Sequence, residues 1–435
     1  MEAGGAPGSD APLSPRTFWF WIAGAAFVLV LGCWLSSGTL APYGMQPDGG
    51  PCGYRVNIDH GQFKAVFRML DGAPENQWIG SVVLRRVLHP ALAYPWMKAF
   101  GFDLGGLLFN IVLHVATLFG LALAIRRFFD ARASVLATWL FATYPGITYW
   151  VGLPYSYAFI VPGSIACTIA LLWWHERPSL RRGIAAACVV GVVGLGYDLM
   201  PFFGGALLFL LVVRRRWLDL GVVLLVLLAW AAFIAKGLPA IFGFPAQNSN
   251  TAAYGAVVTS YLDAPHRLTG WGSLLADLPK VFASNFVFSN FVFFPALFVW
   301  VLVLRRRRPV FHPVALAVLL AVFGMFLFLN AAPPYQGAWQ LRGSWVPRLF
   351  QPWFVAILIT VAAAAVSLRN TSRYRALVAS VVLVTALNGA VIAGPFIKLT
   401  PLYAGVYQRF YRAWRMDDNT SWLKRLGRRP YGICR

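Results

Sequence analysis

Negative charge is what this chain has least of. Its 435 residues include 15 Asp and Glu against 37 Lys and Arg, and charged residues of both signs make up only 12%. A water-soluble surface needs roughly twice that charge density, and 59% hydrophobic residues point the same way. A soluble globular fold is excluded. Cysteine is scarce too. None of the five has metal-ligand spacing, and Cys33, Cys167 and Cys188 fall inside apolar runs, where they read as packing residues. The apolar runs are themselves nearly free of ionisable groups, with His114 and Asp198 the main exceptions. That argues against a proton- or ion-coupled pump, whose pathway requires such groups inside its helices.

What is present is length and apolarity. Runs of roughly 20 apolar residues recur along the chain, as a bilayer demands of a spanning helix. The candidates are Thr17–Leu40, Leu104–Ile125, Ala133–Trp150, Tyr157–Trp174, Gly183–Tyr197, Pro201–Val213, Leu218–Ala235, Asn285–Leu304, Val310–Leu329, Pro352–Leu368 and Ala376–Pro395. The expected fold is an all-α integral membrane protein of about eleven transmembrane helices, by the usual length rule. Residues 1–16 read as a disordered cytoplasmic tail, 17–396 as one polytopic domain and 397–435 as a basic C-terminal tail. The first run lacks a cleavage site and reads as a retained helix.

The net charge of +22 would suggest nucleic acid in a soluble chain. Here many arginines sit in short clusters between apolar runs, so topology explains much of the excess and no nucleic-acid partner is expected. Arg126-Arg127, Arg181-Arg182, Arg214–Arg216, Arg305–Arg308 and Arg373-Arg375 all fall on one side if the spans alternate. Basic loops are preferentially cytoplasmic, which puts the N-terminus inside and Ala41–Asp103, Lys236–Ser284 and Asn330–Gln351 outside. The same count puts the basic tail outside, against the charge rule. Either a short helix is misread, or the tail lies on the outer face against anionic headgroups. An outside tail would also let Cys52 and Cys434 share an oxidising compartment; a bridge and two unrelated cysteines both remain open.

The segment VNIDHGQFKAVFRML, Val56 to Leu70, places an Asp–His pair at the head of a short amphipathic helix in the first outer loop. Asp59 with Gln62 makes a capping box, and Ile58 with Phe63 a hydrophobic staple. Phe63, Val66, Phe67 and Leu70 form one apolar stripe, suited to a helix at a membrane surface. Capping alone accounts for Asp59, yet it leaves one carboxylate oxygen free for chemistry. GVVGLG, Gly191–Gly196, mimics part of a dinucleotide fingerprint but sits inside an apolar helix, where glycine permits close packing.

The order of features resembles the GT-C glycosyltransferases, polytopic enzymes that take sugar from a polyprenyl-phosphate carrier. Asp59 in NIDHGQF stands where that family has an acidic residue acting at the acceptor, just after the first span. HPALAYPWMKAFGFDLGGLLFNIVLHVATLFGLALAIRRFFDARASVLATWLFATYP resembles the family's next block, and RGSWVPRLFQPWF its late Arg-containing outer segment. The family's second adjacent acid is here His60, and GITYWVGLPYSYAF lacks the further acid many members carry. No cofactor is identified, and a divalent metal finds no support in the sequence.

The resemblance implies transfer of a sugar to a glycan, lipid or protein acceptor at the outer face of a bacterial inner membrane. Asp59 would be the base for the acceptor hydroxyl, with His60 as hydrogen-bonding neighbour. A guanidinium suits the departing phosphate. Arg348 fits the family pattern best, and Arg342 and Lys280 are further cations of outer segments. His89, before Pro90, and Asp198, in GYDLMPFF, are candidates for the acceptor or sugar pocket; both are equally explained as turn residues. The rival readings are a lipid-linked glycan transporter or flippase, and a non-catalytic scaffold. A flippase should line a path across the membrane with polar groups, whereas an enzyme should gather them at one face.

Overall fold

The computed structural model describes residues 13–36, 66–72, 86–151, 156–197, 200–241, 293–305, 312–331 and 351–397, and every regular element among them is helical. Helix α1, Pro15–Ser36, starts on a proline whose missing N–H costs nothing there, and Ser14 Oγ accepts from Thr17 N at 3.1 Å. One stripe, Phe18, Ile22, Ala25, Leu29 and Cys33, is buried, while Phe20 is 72% and Phe27 68% exposed. A helix apolar all round but packed along one stripe needs a non-aqueous solvent on its other side.

A short helix, α2, covers residues 66–70. Of its expected stripe, Val66, Phe67 and Leu70 are described and pack on other helices, while Phe63 lies outside the described residues. Val66 is buried against Val87 and Leu238, and Phe67 packs with Ala93, Met97 and Phe109. Helix α3, Leu88–Phe100, folds back through Gly101 onto α4, Phe102–Phe128. Gly101 has φ +82°, a backbone that favours glycine.

The expected span Ala133–Trp150 is two helices, α5 (Ala131–Ala142) and α6 (Pro145–Val151). Pro145 cannot supply the bond to residue 141 and disfavours helix at Tyr144, so the run breaks there. A 3-10 turn at Ser156–Phe159 leads into α7, Ile160–Glu176, followed by α8, Leu180–Gly194, and α9, Phe202–Val213. Helix α10, Trp217–Ala232, does not end near Ala235. It runs through a π turn, Phe233–Gly237, into α11, Leu238–Ile241. The remaining helices are α12 (Phe293–Leu304), α13 (Pro313–Ala331), α14 (Pro352–Leu368) and α15 (Ser372–Ile397).

Helix α14 is the axis of the bundle. Every residue from Pro352 to Ala365 is buried, and α5, α7, α12, α13 and α15 pack around it. Glycines admit close neighbours as expected: the Trp230 ring fills the space a Cβ on Gly191 would need, and Phe159 does so at Gly196. By length and composition three helices among the described residues can cross a membrane, Pro15–Trp34, Leu104–Phe128 and Trp217–Ile241. On the last, Leu218 is 89% and Leu225 67% exposed, surface that only lipid would solvate favourably.

The two ends of the bundle differ in charge. Arg127 at the end of α4 and Arg182 in α8 both pair with Glu176 at the end of α7, at 3.2 and 3.6 Å. Arg216 pairs with Asp219 and donates to Pro178 O at 2.8 Å, and Arg373 donates to Leu304 O at 3.0 Å. Arg126 lies 4.7 Å over the Phe18 ring, which brings the start of α1 to the same end. The arginine turns that the sequence separates by up to 250 residues thus share one end.

Candidate functional site

Another set of polar groups lies towards the opposite end. It begins at α3, whose first N–H, on Leu88, donates to Leu195 O at the end of α8 at 2.9 Å. His89 and Pro90 follow in the first helical turn, where proline is tolerated because no intrahelical donor is needed. The His-Pro pair opens a helix here and does not form a turn.

His89 is fully buried between the Phe109 and Phe159 rings, at 5.6 and 5.7 Å. Its Nε2 lies 2.9 Å from Asn110 Oδ1, and Asn110 Nδ2 donates to Val151 O at 3.1 Å. A carbonyl can only accept, so the amide must turn its NH2 to Val151 and its oxygen to His89. The proton of His89 is therefore on Nε2. Burial holds the imidazole neutral, its pKa pushed down to about 4. One turn on, His114 Nδ1 donates to Asn110 O at 2.8 Å. Asn110 thereby ties α3 and α4 to the end of α6.

A second set lies on the surface. Asp71 Oδ1, just after α2, accepts from Tyr94 Oη at 2.6 Å and Lys98 Nζ at 2.7 Å, both on α3. The Lys98 bond, then the Tyr94 bond, holds the carboxyl below its ordinary range. Phe67 packs on Tyr94 and Phe102 beside this clamp. Arg86 places its guanidinium 4.7 Å over the Tyr197 ring, next to the α8–α9 turn. Deeper, Tyr144 stacks on Phe354 at 4.0 Å with Phe294 at 5.0 Å from Phe354, fixing the start of α14 after a buried Gln351.

Of the residues singled out from the sequence, His89 is described. Asp59, His60, Asp198, Lys280, Arg342 and Arg348 lie outside the described residues, as do Cys52 and Cys434. Sequence reasoning passed over Asn110, Asp71, Lys98 and Arg86. Two signals were available: Asn110 and His114 sit four apart in an apolar run, and so do Tyr94 and Lys98 in α3. Among the described residues no three His, Cys, Asp or Glu side chains come together as metal ligands.

Fold and surface define an all-helical integral membrane protein with one arginine-rich end and one end of buried, hydrogen-bonded polar side chains. No protein-family model matches the chain, and no curated protein does. Among solved structures it is similar to ArnT from Cupriavidus metallidurans bound to undecaprenyl phosphate, at 16% identity and a TM-score of 0.48, over 94% of this chain and 73% of that one. A likeness at this level gives no residue a role.

Proposed function

We propose that the chain is a GT-C-type glycosyltransferase of about eleven spans, a count set by the length rule, moving sugar from a polyprenyl-phosphate carrier to an acceptor hydroxyl at the outward face of a bacterial inner membrane. One observation supports this above the others. Helices α1, α8 and α11 end, and α14 begins, at the end opposite the arginine turns. From those helix ends run the segments that carry Asp59, Asp198, Lys280, Arg342 and Arg348. With the arginine turns cytoplasmic, Asp59, Asp198 and the outer cations would belong to one face, while Asp130, Glu176 and Asp219 serve the arginine turns; that is the pattern of an enzyme and not of a path across the bilayer.

In this reading Asp59 accepts the acceptor hydroxyl proton as its oxygen attacks the anomeric carbon. The carbon–oxygen bond to phosphate breaks, and the electron pair leaves with the phosphate beside Arg348. A single displacement inverts the anomeric centre. His60 supports Asp59, Arg342 and Lys280 support Arg348, and Asp198 meets sugar hydroxyls. His89 acts from the packed interior, holding Asn110 and the α3–α4 pair under the site. The test is transfer from labelled polyprenyl-phosphate sugars by purified protein. Asp59→Asn should lose about 100- to 10,000-fold in rate, the usual range for a general base, with carrier binding kept. Arg348→Gln should weaken carrier binding. Unchanged transfer by Asp59→Asn removes that residue from the mechanism.

A further inference from the structure

The arginine-rich end carries more positive charge than its acids neutralise. On the α4–α5, α7–α8 and α9–α10 turns the described carboxylates are Asp130, Glu176 and Asp219. Asp130 caps α5 through Ala133 N, Glu176 serves Arg127 and Arg182, and Asp219 serves Arg216. Arg177, Arg181, Arg214 and Arg215 are exposed and pair with no carboxylate among the described residues. They form one surface, because Arg214 Nη2 donates to His175 Nε2 at 3.3 Å and Arg216 Nη1 to Pro178 O, joining the two turns.

The backbone of the second turn is unusual. Arg216 N bonds Leu211 O and Arg215 N bonds Val212 O, the paired closure in which the intervening residue turns left-handed. Glycine is the usual occupant, yet Arg215 stands there at φ +55°, the positive-φ residue other than glycine among those described. A guanidinium is thus held outward where the backbone favours no side chain. Immediately after it Trp217 is 61% and Leu218 89% exposed, on a helix otherwise bathed in lipid.

We infer that the α7–α8 and α9–α10 turns form a docking surface for an anionic phospholipid, with its phosphate against Arg177, Arg181, Arg214 and Arg215 and its acyl chains along Trp217 and Leu218. Charge complementarity selects the occupant. Four unneutralised guanidinia offer forked donors to phosphate oxygens, and a zwitterionic headgroup would cancel most of that attraction with its own cation. The exposed aromatic and aliphatic pair beside them suits acyl chains and not a soluble anion.

The test uses the full chain in vesicles of mixed lipid, with brominated acyl chains carried either by phosphatidylglycerol or by phosphatidylcholine at equal mole fraction. The Trp217 signal is the fluorescence lost in Trp217→Phe. Brominated phosphatidylglycerol should quench that signal several-fold more strongly, and replacing all four arginines by glutamine should abolish the preference. Each arginine is expected to contribute up to about fivefold to the lipid selectivity. Arg215→Gly, which relaxes the turn while removing one charge, should lower the preference with the helix content intact, so loss of folding cannot imitate the result. Equal quenching by both lipids overturns the inference. So does a preference that survives the fourfold substitution, or one erased by excess soluble glycerol phosphate, which would mark a free-anion site. None of these readouts depends on sugar transfer.

Discussion

Replacing Gly105 by alanine should loosen the α3–α4 pair on which the buried polar set is built. A Cβ at this position would stand 2.2 Å from Trp96 O and 2.5 Å from Met97 Cα, both backbone atoms of α3. Ordinary contact begins near 3.4 Å, so the helices must part by at least about 1 Å, and no side-chain rotation can relieve it. Overpacking of this kind costs about 1–3 kcal/mol. The hinge also pulls on the His89–Asn110 bond across the same pair, adding about 1 kcal/mol. Gly120, on α4 too, has nothing within 4 Å of its would-be Cβ, so Gly120→Ala should instead gain up to about 1 kcal/mol of helix propensity. Unfolding in mixed micelles, followed by helical circular dichroism as the denaturing detergent fraction rises, measures both. The two variants should shift the midpoint in opposite directions. If Gly105→Ala unfolds at or above the parent midpoint, the close approach of α3 and α4 is wrong.

Asn110→Leu should destabilise by about 1–3 kcal/mol in the same assay, because His89 Nε2 and Val151 O lose their shared partner in a dry interior; no change would mean the bonds are not made. Arg215→Gly should raise stability by about 1 kcal/mol by relieving the left-handed strain, and a loss would show that the guanidinium holds the turn. The Asp71 clamp should depend on pH at both extremes. Its carboxyl titrates lower when folded than its ordinary 3.8, so its contribution is whole above that value and lost as pH falls through the depressed one. Lys98 titrates above its ordinary 10.5 when folded, so its share is lost as pH rises through the raised value. Protease access to the residues around α2 should therefore be lowest near neutrality and increase at either extreme; Asp71→Asn should abolish the acid increase, and a parent flat across pH 2–7 would refute the clamp.

Much of the helix layout could be read before the structure because its punctuation is chemical. Pro352 and Arg369 bracket a helix that begins and ends with them, and the arginine clusters stand where helices end, as at Arg126-Arg127 and Arg214–Arg216, or begin, as at Arg181-Arg182 and Arg373-Arg375. What the apolar pattern could not supply was where a run breaks or bends. Ala133–Trp150 looks continuous in hydropathy, yet Pro145 divides it, and the π turn at Phe233–Gly237 has no compositional signal at all. The polar set was legible only in fragments. His89 and His114 were visible as rare histidines, and Asn110 four residues before His114 hinted at a pair, but its closure to Val151, 41 residues on, has no local signal. Asp71 looked like a residue of a loop because its partners lie 23 and 27 positions on.

These pieces bear on one another through a single geometric fact. A residue pair such as His89 and Asn110 can stay neutral and buried only if the helices bearing it are held rigidly, because an unpaired amide in that interior would be expelled or hydrated. Rigidity there is supplied by Gly105 backbone contact on one side and by the Leu88–Leu195 bond on the other. The Leu88–Leu195 bond sits at the end of α8, the helix that Asp198 follows in sequence. A catalytic carboxylate must be held within a fraction of an ångström of its acceptor, so firmly packed helices are what sugar transfer would require of this end of the bundle. A flippase would need the reverse, a seam between α3 and α4 able to open around a passing headgroup. Locking that seam with a disulfide between cysteines introduced on α3 and α4 therefore separates the two activities: transfer should survive the lock, and transport should not.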